Sequence, residues 1–179
     1  FVEGETGALN EKLGAIVPGD DVTFKVWAPT AQSVKLYLYN EDMSSAGEAI
    51  TMTEAANGVW SAEQAGAVGK YYRYEVTVYH PTTKQIETRM VTDPYSLALS
   101  TNSLYSLVVD LDAADTKPAG WDEDVRPVLE NDVDHVLYES HLRDFSFSDQ
   151  LGTPAYNGKY LALTEAERES VSHLQELKE

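Results

Sequence analysis

From Asp21 onward apolar and polar positions alternate: Val22, Phe24, Val26 and Ala28 fall on one side of the chain, Thr23, Lys25 and Trp27 on the other. A period of two predicts a half-buried β-strand. Ala28-Pro29-Thr30 interrupts the pattern, and Val34-Lys35-Leu36-Tyr37-Leu38-Tyr39 restarts it before a turn at Asn40-Glu41-Asp42. Further short runs follow at 49–53, at Val59-Trp60-Ser61-Ala62 behind an Asn57-Gly58 turn, and at 71–79. In the last of these Tyr72, Tyr74, Val76 and Val78 alternate with Arg73, Glu75 and Thr77, and Pro81-Thr82-Thr83 then turns the chain into 85–91. Strands roughly ten residues apart, with turn chemistry between them and no helical period, predict an antiparallel β-sandwich.

Beyond residue 92 the pattern loosens. The stretch from Asp93-Pro94-Tyr95 to Leu107-Val108-Val109-Asp110 offers one short strand at its end, and 110–134 turns acidic around Pro118, Gly120 and Pro127, as a linker does. His135-Val136-Leu137-Tyr138-Glu139-Ser140-His141 then contains a short apolar run of the kind found in strands covered on both faces. After a polar loop with Gly152, Pro154 and Asn157-Gly158, Thr164-Glu165-Ala166-Glu167 has the form of a capping box leading into Val171, Leu174 and Leu177. Strand, loop and amphipathic helix make the first half of a βαβ unit, which cannot bury its own strand. The rest of that domain is expected beyond Glu179, with both ends of the sequence cut from a longer chain. The expected division is a lead-in at 1–20, the sandwich at 21–112, an acidic linker at 113–134 and a first βα unit at 135–179.

Composition narrows the partners. The 179 residues hold 13 Lys plus Arg against 30 Asp plus Glu, a formal charge of −17, and 42% apolar residues, too many for a disordered chain. Such a surface repels phosphate backbones and anionic lipid heads, which argues against nucleic acid and membrane surfaces. No apolar run approaches the roughly 18 residues of a membrane helix, so insertion is not expected. With no Cys there is no disulfide, thiolate nucleophile or Cys-type zinc site. Neutral ligands such as sugars, and cations, stay open.

Trp27 and Trp60 are the first carbohydrate-binding candidates, because an indole offers an apolar face to a sugar ring with a polar handle beside it. Aromatic residues in a sandwich more often fill its core. Trp27, opposite Val22, Phe24 and Val26, is the better candidate for exposure. The acids Asp110, Asp112, Asp115, Asp122, Glu123 and Asp124 are hard oxygen ligands, but they lack the Gly and terminal Glu of a helix-loop-helix calcium loop and read as a solvated linker. Tyr138-Glu139-Ser140-His141-Leu142-Arg143-Asp144-Phe145-Ser146 is the densest run of functional residue types. It either places a cation and a carboxylate at a strand's C-terminal end, where barrels put their sites, or fixes the following loop through an Arg–Asp pair. His135 and His141 match no metal motif.

Several strings together resemble one family. Asp21-Val22-Thr23-Phe24-Lys25-Val26-Trp27-Ala28-Pro29-Thr30-Ala31, Tyr72-Arg73-Tyr74-Glu75-Val76-Thr77-Val78-Tyr79, Val91-Thr92-Asp93-Pro94-Tyr95-Ser96 and the 138–146 string are similar to bacterial pullulanases of glycoside hydrolase family 13. The resemblance implies an immunoglobulin-like family 48 carbohydrate-binding module, followed by a linker and the first strand and helix of a truncated (β/α)8 barrel. It implies a parent enzyme that hydrolyses α-1,6-glucosidic branches in pullulan, starch or glycogen with retention, using a pair of carboxylates. Those carboxylates belong to later barrel strands, so no residue here is assigned as catalytic and the segment alone is expected to be inactive. The implied partners are α-glucan polysaccharide and the remainder of the barrel. Tyr138, His141, Arg143 and Asp144 are candidates for the barrel mouth. No cofactor or metal is assigned here, calcium staying open for such a parent enzyme, and the resemblance implies a secreted or cell-surface bacterial protein, since relatives of this kind are often exported or held at the cell surface. A stand-alone α-glucan-binding module and an immunoglobulin-like adhesion domain are the alternatives.

Overall fold

In a computed structural model, which describes residues 11–125 and 128–178, the predicted alternation appears residue by residue. The first ten residues of the expected lead-in, Pro127 of the linker and Glu179 lie outside the described residues. Among the described residues ten strands follow in order: β1 (Gly14–Ile16), β2 (Asp21–Trp27), β3 (Ala31–Tyr39), β4 (Ile50–Thr51), β5 (Thr53–Glu54), β6 (Val59–Ala65), β7 (Tyr71–His80), β8 (Gln85–Val91), β9 (Ala98–Leu99) and β10 (Ser106–Leu107). One sheet has the order β1-β2-β6-β5. The other runs β4-β3-β7-β10-β9, with β8 also paired to β7. All these pairs are antiparallel.

The two sheets bury what the alternation assigns to their inner faces. Val22, Phe24 and Val26 of β2 meet Val34 and Leu36 of β3 and Tyr72 and Tyr74 of β7 in one core, with Met52, Trp60, Ala67 and Val108. The Phe24 and Tyr72 rings pack edge to face with centroids 5.0 Å apart. Each large side chain buried in this way stabilises the sandwich by about 1.5–3 kcal/mol. β1 lies ahead of the expected start at Asp21, because three residues are too few to display a period.

Turn chemistry closes the β5–β6 hairpin. Gly58 has φ 77°, a conformation that costs a side-chain-bearing residue and not glycine. Its N–H donates to the Ala55 carbonyl at 2.9 Å, and Ala55 N–H donates to the Val59 carbonyl at 2.8 Å. At the far edge of the second sheet, β8 pairs only with β7 among the described residues, and there the Glu87 carboxylate is held by Thr83 and Arg89.

A buried polar knot joins the segment after β8 to the sandwich. The Asp93 carboxylate, 4% exposed, accepts the Tyr72 hydroxyl at 2.8 Å, the Tyr74 hydroxyl at 3.1 Å and the Tyr95 N–H at 2.8 Å. Burial pushes its pKa above the ordinary value, and the hydrogen bonds from Tyr95, Tyr72 and Tyr74 pull back against that. Both tyrosine hydroxyls are pushed up as well, by burial first and by the Asp93 charge second.

The chain divides at 123/124, inside the predicted acidic linker, into two units. In the second, the expected strand at 135–141 does not form among the described residues. Its backbone joins no ladder, and Val136 and Leu137 are 92% and 93% exposed. A strand is a property of a pair, and an apolar run in the sequence does not name the strand it would pair with. A short helix, α1 (Leu142–Phe147), occupies the start of the expected loop. The expected amphipathic helix is present as α2 (Glu169–Lys178) but begins after the capping box. The Thr164 hydroxyl donates to the Leu161 carbonyl at 2.8 Å, inside a preceding 3₁₀ turn. Glu165 instead takes the Thr153 N–H at 3.0 Å, the Thr153 hydroxyl at 2.5 Å and Arg168 Nε at 2.7 Å. Among the described residues no helix is long and apolar enough to cross a membrane.

Candidate functional site

The alternation that buries Val34 and Leu36 turns Lys35, Tyr37 and Tyr39 outward, and the burial of Tyr72 and Tyr74 turns Tyr71, Arg73 and Glu75 outward on β7. Register sets Lys35 opposite Glu75, Tyr37 opposite Arg73 and Tyr39 opposite Tyr71. Tyr105, just ahead of β10, completes the row. Its ring lies 4.9 Å from that of Tyr39 and 6.4 Å from that of Tyr71, edge-on to both, with the Arg73 guanidinium 5.6 Å above it. Arg73 donates one Nη to the Met90 carbonyl at 2.9 Å, while its Nε is buried without a hydrogen-bond partner among the described residues.

At the other end of this face Glu75 gathers two donors, Lys35 Nζ at 3.0 Å and the Tyr37 hydroxyl at 3.1 Å. The hydrogen bond from Lys35 holds the Glu75 carboxyl below its usual range, and the bond to Glu75 raises the Tyr37 hydroxyl. The face therefore offers half-buried rings, a guanidinium and a satisfied ion pair. Among the described residues Glu75 is the one carboxylate of this row, and it is already bonded to Lys35 and Tyr37. Rings and forked donors suit a ligand with apolar C–H faces and rim hydroxyls.

The outer face of the first sheet holds Trp27, 43% exposed, whose Nε1 donates to the Asn57 carbonyl at 3.2 Å. Beside it Lys25 Nζ reaches Glu11 at 2.8 Å and Asn57 Nδ2 reaches Glu11 at 3.4 Å. Trp60 is a correction to the sequence expectation. It is only 7% exposed and its Nε1 donates to the Ala28 carbonyl at 3.1 Å, so it fills the core and has no face for a sugar.

In the second unit Tyr138 is half exposed, with its hydroxyl 3.2 Å from His173 Nε2 and its ring against Phe145. His141 Nδ1 lies 3.5 Å from Asp144, both well exposed, and Arg143 lies over the Phe147 ring at 5.6 Å. Arg143 and Asp144 are thus turned to different neighbours. The loop-fixing arginine is Arg168. Among the described residues no three His, Asp or Glu side chains are grouped as a metal site.

Residues 12–96 match the family described as carbohydrate-binding module 48 (isoamylase N-terminal domain). The chain is 43% identical over 169 residues to a pullulanase of Klebsiella aerogenes, covering 92% of this chain and 15% of that protein. To the chloroplastic pullulanase 1 of Arabidopsis thaliana the chain is 42% identical over 168 residues, covering 92% of this chain and 17% of the relative. The structure of the maltotriose complex of PulA from Klebsiella pneumoniae superposes with a TM-score of 0.88 at 43% identity, over 95% of this chain and 19% of that one. The chain therefore spans less than a fifth of the length of these relatives.

The matched stretch holds Trp27, Trp60 and the whole of β2 to β8, and the core contact of Val108 lies past its end. The tyrosine row is what sequence reasoning missed. Its signal was present in the odd positions of 71–79 and of 35–39, but only the pairing of β3 with β7 turns two alternations into one face.

Proposed function

We propose that this chain is an accessory, non-catalytic section of an α-1,6-glucan-debranching enzyme, and that its module meets α-glucan through the face of Tyr37, Tyr39, Tyr71, Arg73 and Tyr105. The observation that carries this is the gathering of the half-buried Tyr39 and Tyr71 rings against Tyr105, with the Arg73 guanidinium over Tyr105 and Tyr37 opposite Arg73 in register, on the outside of a sheet that matches carbohydrate-binding module 48. A neutral polymer also suits a chain of charge −17. Trp27 is a second, smaller contact, offering one ring face with its N–H already bonded.

The sandwich at 21–112, preceded by the lead-in, is joined through the 113–134 linker to a segment at 135–179 that reads as the opening strand and helix of the parent barrel. The bare Val136 and Leu137 side chains support this, since they form an apolar run in need of cover. On that reading Tyr138, His141, Arg143 and Asp144 stand near the barrel mouth, the remainder of the barrel is the second partner, and the parent enzyme works outside the cell or at its surface.

Titration of the chain with maltoheptaose tests the binding face. Tyrosine and tryptophan fluorescence should respond with a dissociation constant of roughly 1 mM, in keeping with a small shallow site. Tyr105→Ala should abolish most of the response and Trp27→Ala a minor part. A flat titration of the unaltered chain removes the binding role and leaves only packing against the barrel.

A further inference from the structure

Tyr105 owes its place to groups on the other side of the sheet. β10 has two residues, and β9 beyond it has two, so few ladder bonds fix them. The chain enters β10 through Asn102 and Ser103, both with left-handed backbone, at φ 58° and 55°, a conformation that persists only where the surroundings impose it. Two clamps do so. From the loop, Tyr105 N–H donates to Ser100 Oγ at 3.0 Å and Ser100 N–H donates to the Tyr105 carbonyl at 2.9 Å. From below, the fully buried Ser106 hydroxyl accepts the Asp93 N–H at 2.9 Å and lies 2.5 Å from Ser96 Oγ. Asp93 is itself held by the Tyr72 and Tyr74 hydroxyls.

We infer that Ser106, gripped by Asp93 and Ser96, is the positioning residue that holds Tyr105 in the tyrosine row, so that a buried polar knot on the inner face shapes the outer one. Strand alternation makes the coupling direct: Ser106 points into the sandwich and Tyr105, one residue earlier, points out. Among the described residues Tyr105 is the one in contact with Tyr39, Tyr71 and Arg73 together. A shift of β10 therefore opens the row at its centre. The consequence for binding rests on the α-glucan reading of this face; the positioning itself does not.

The test uses the full 179-residue chain with ring-labelled tyrosine, read by nuclear magnetic resonance, alongside maltoheptaose titration. Ser106→Ala should move the Tyr105 ring resonances toward those of free tyrosine and weaken maltoheptaose binding by about fivefold or more. Ser106→Thr, which keeps the hydroxyl, should restore both. If Ser106→Ala does not fold, Ser96→Ala removes the same hydroxyl contact from its other end and should move Tyr105 the same way. A general loosening would move the distant Tyr79 as well, and that result, like unmoved Tyr105 resonances in both variants, overturns the inference. Moved Tyr105 resonances with no maltoheptaose binding by the unaltered chain uphold the positioning and overturn the α-glucan reading.

Discussion

The Arg168 guanidinium, fully buried, lies 2.7 Å from the Glu165 carboxylate and ties it to a loop that neither residue belongs to. Its other nitrogens reach Asn157 Oδ1 at 2.8 Å, the Thr153 carbonyl at 2.5 Å and Asp149 at 3.4 Å, and Ser170 Oγ donates to the same Asp149 carboxylate at 2.6 Å. Arg168→Lys is expected to free the 149–158 loop, since an ammonium cannot reproduce the planar fork. Amide exchange at Thr153 and Gly158 should accelerate by about tenfold or more, while Val34 and Leu36 stay protected. Unchanged exchange at those two amides would contradict this.

The Asp93 knot sets a pH dependence of known sign. Its folded pKa is raised above the ordinary 3.8, so between the two values the folded chain holds the extra proton. The stability this contributes is complete below the unfolded pKa and is lost as pH rises through the folded one. Asp93→Asn keeps a neutral side chain there and does not titrate. Its cost, about 1–3 kcal/mol from disturbed hydrogen bonds, should be largest in acid and shrink toward neutrality. Urea unfolding of both proteins between about pH 3 and pH 7 reads the gap; a gap that widens with pH refutes the sign.

The two tryptophans of the module should separate in stability measurements. Trp60→Ala removes a core side chain and its bond to Ala28, with an expected loss of about 3–5 kcal/mol. Trp27→Ala, on the outer face, should cost about 1 kcal/mol or less. Equal losses in chemical denaturation would mean that Trp27 is packed far more tightly than its exposure indicates.

Gly58→Ala places a side chain at φ 77° in the β5–β6 turn. The expected cost is about 1 kcal/mol, with the Ala55 bonds weakened and the pairing of β5 with β6 loosened. Thermal unfolding checks the first, and faster exchange of the Ala55 amide checks the second.

Much of the sandwich is legible in the sequence because a two-residue period is local: Val22, Phe24 and Val26 declare one face and Thr23, Lys25 and Trp27 the other. Trp60 escapes that logic, since Val59 and Trp60 are buried in succession where β6 begins. The tyrosine row is hidden for a different reason. Tyr39, Tyr71 and Tyr105 lie far apart in the chain, and only register brings them together. The 135–141 run shows the converse, because apolar residues in sequence announce a strand without announcing what it pairs with. The start of α2 moved because Glu165 found in Arg168 and Thr153 better partners than a helix end.

Among the described residues β8, with seven residues, pairs on one side only and is the longest edge strand of the sandwich, and the Glu87–Arg89 pair stands on it. An unpaired edge is a template for another strand, and charged side chains fixed along it make each added strand bury ions beside ions. Many copies of this sandwich crowded together would thus meet edge to edge without fusing into a growing sheet. The pair contributes little inside one molecule; its effect is on what neighbouring molecules fail to become.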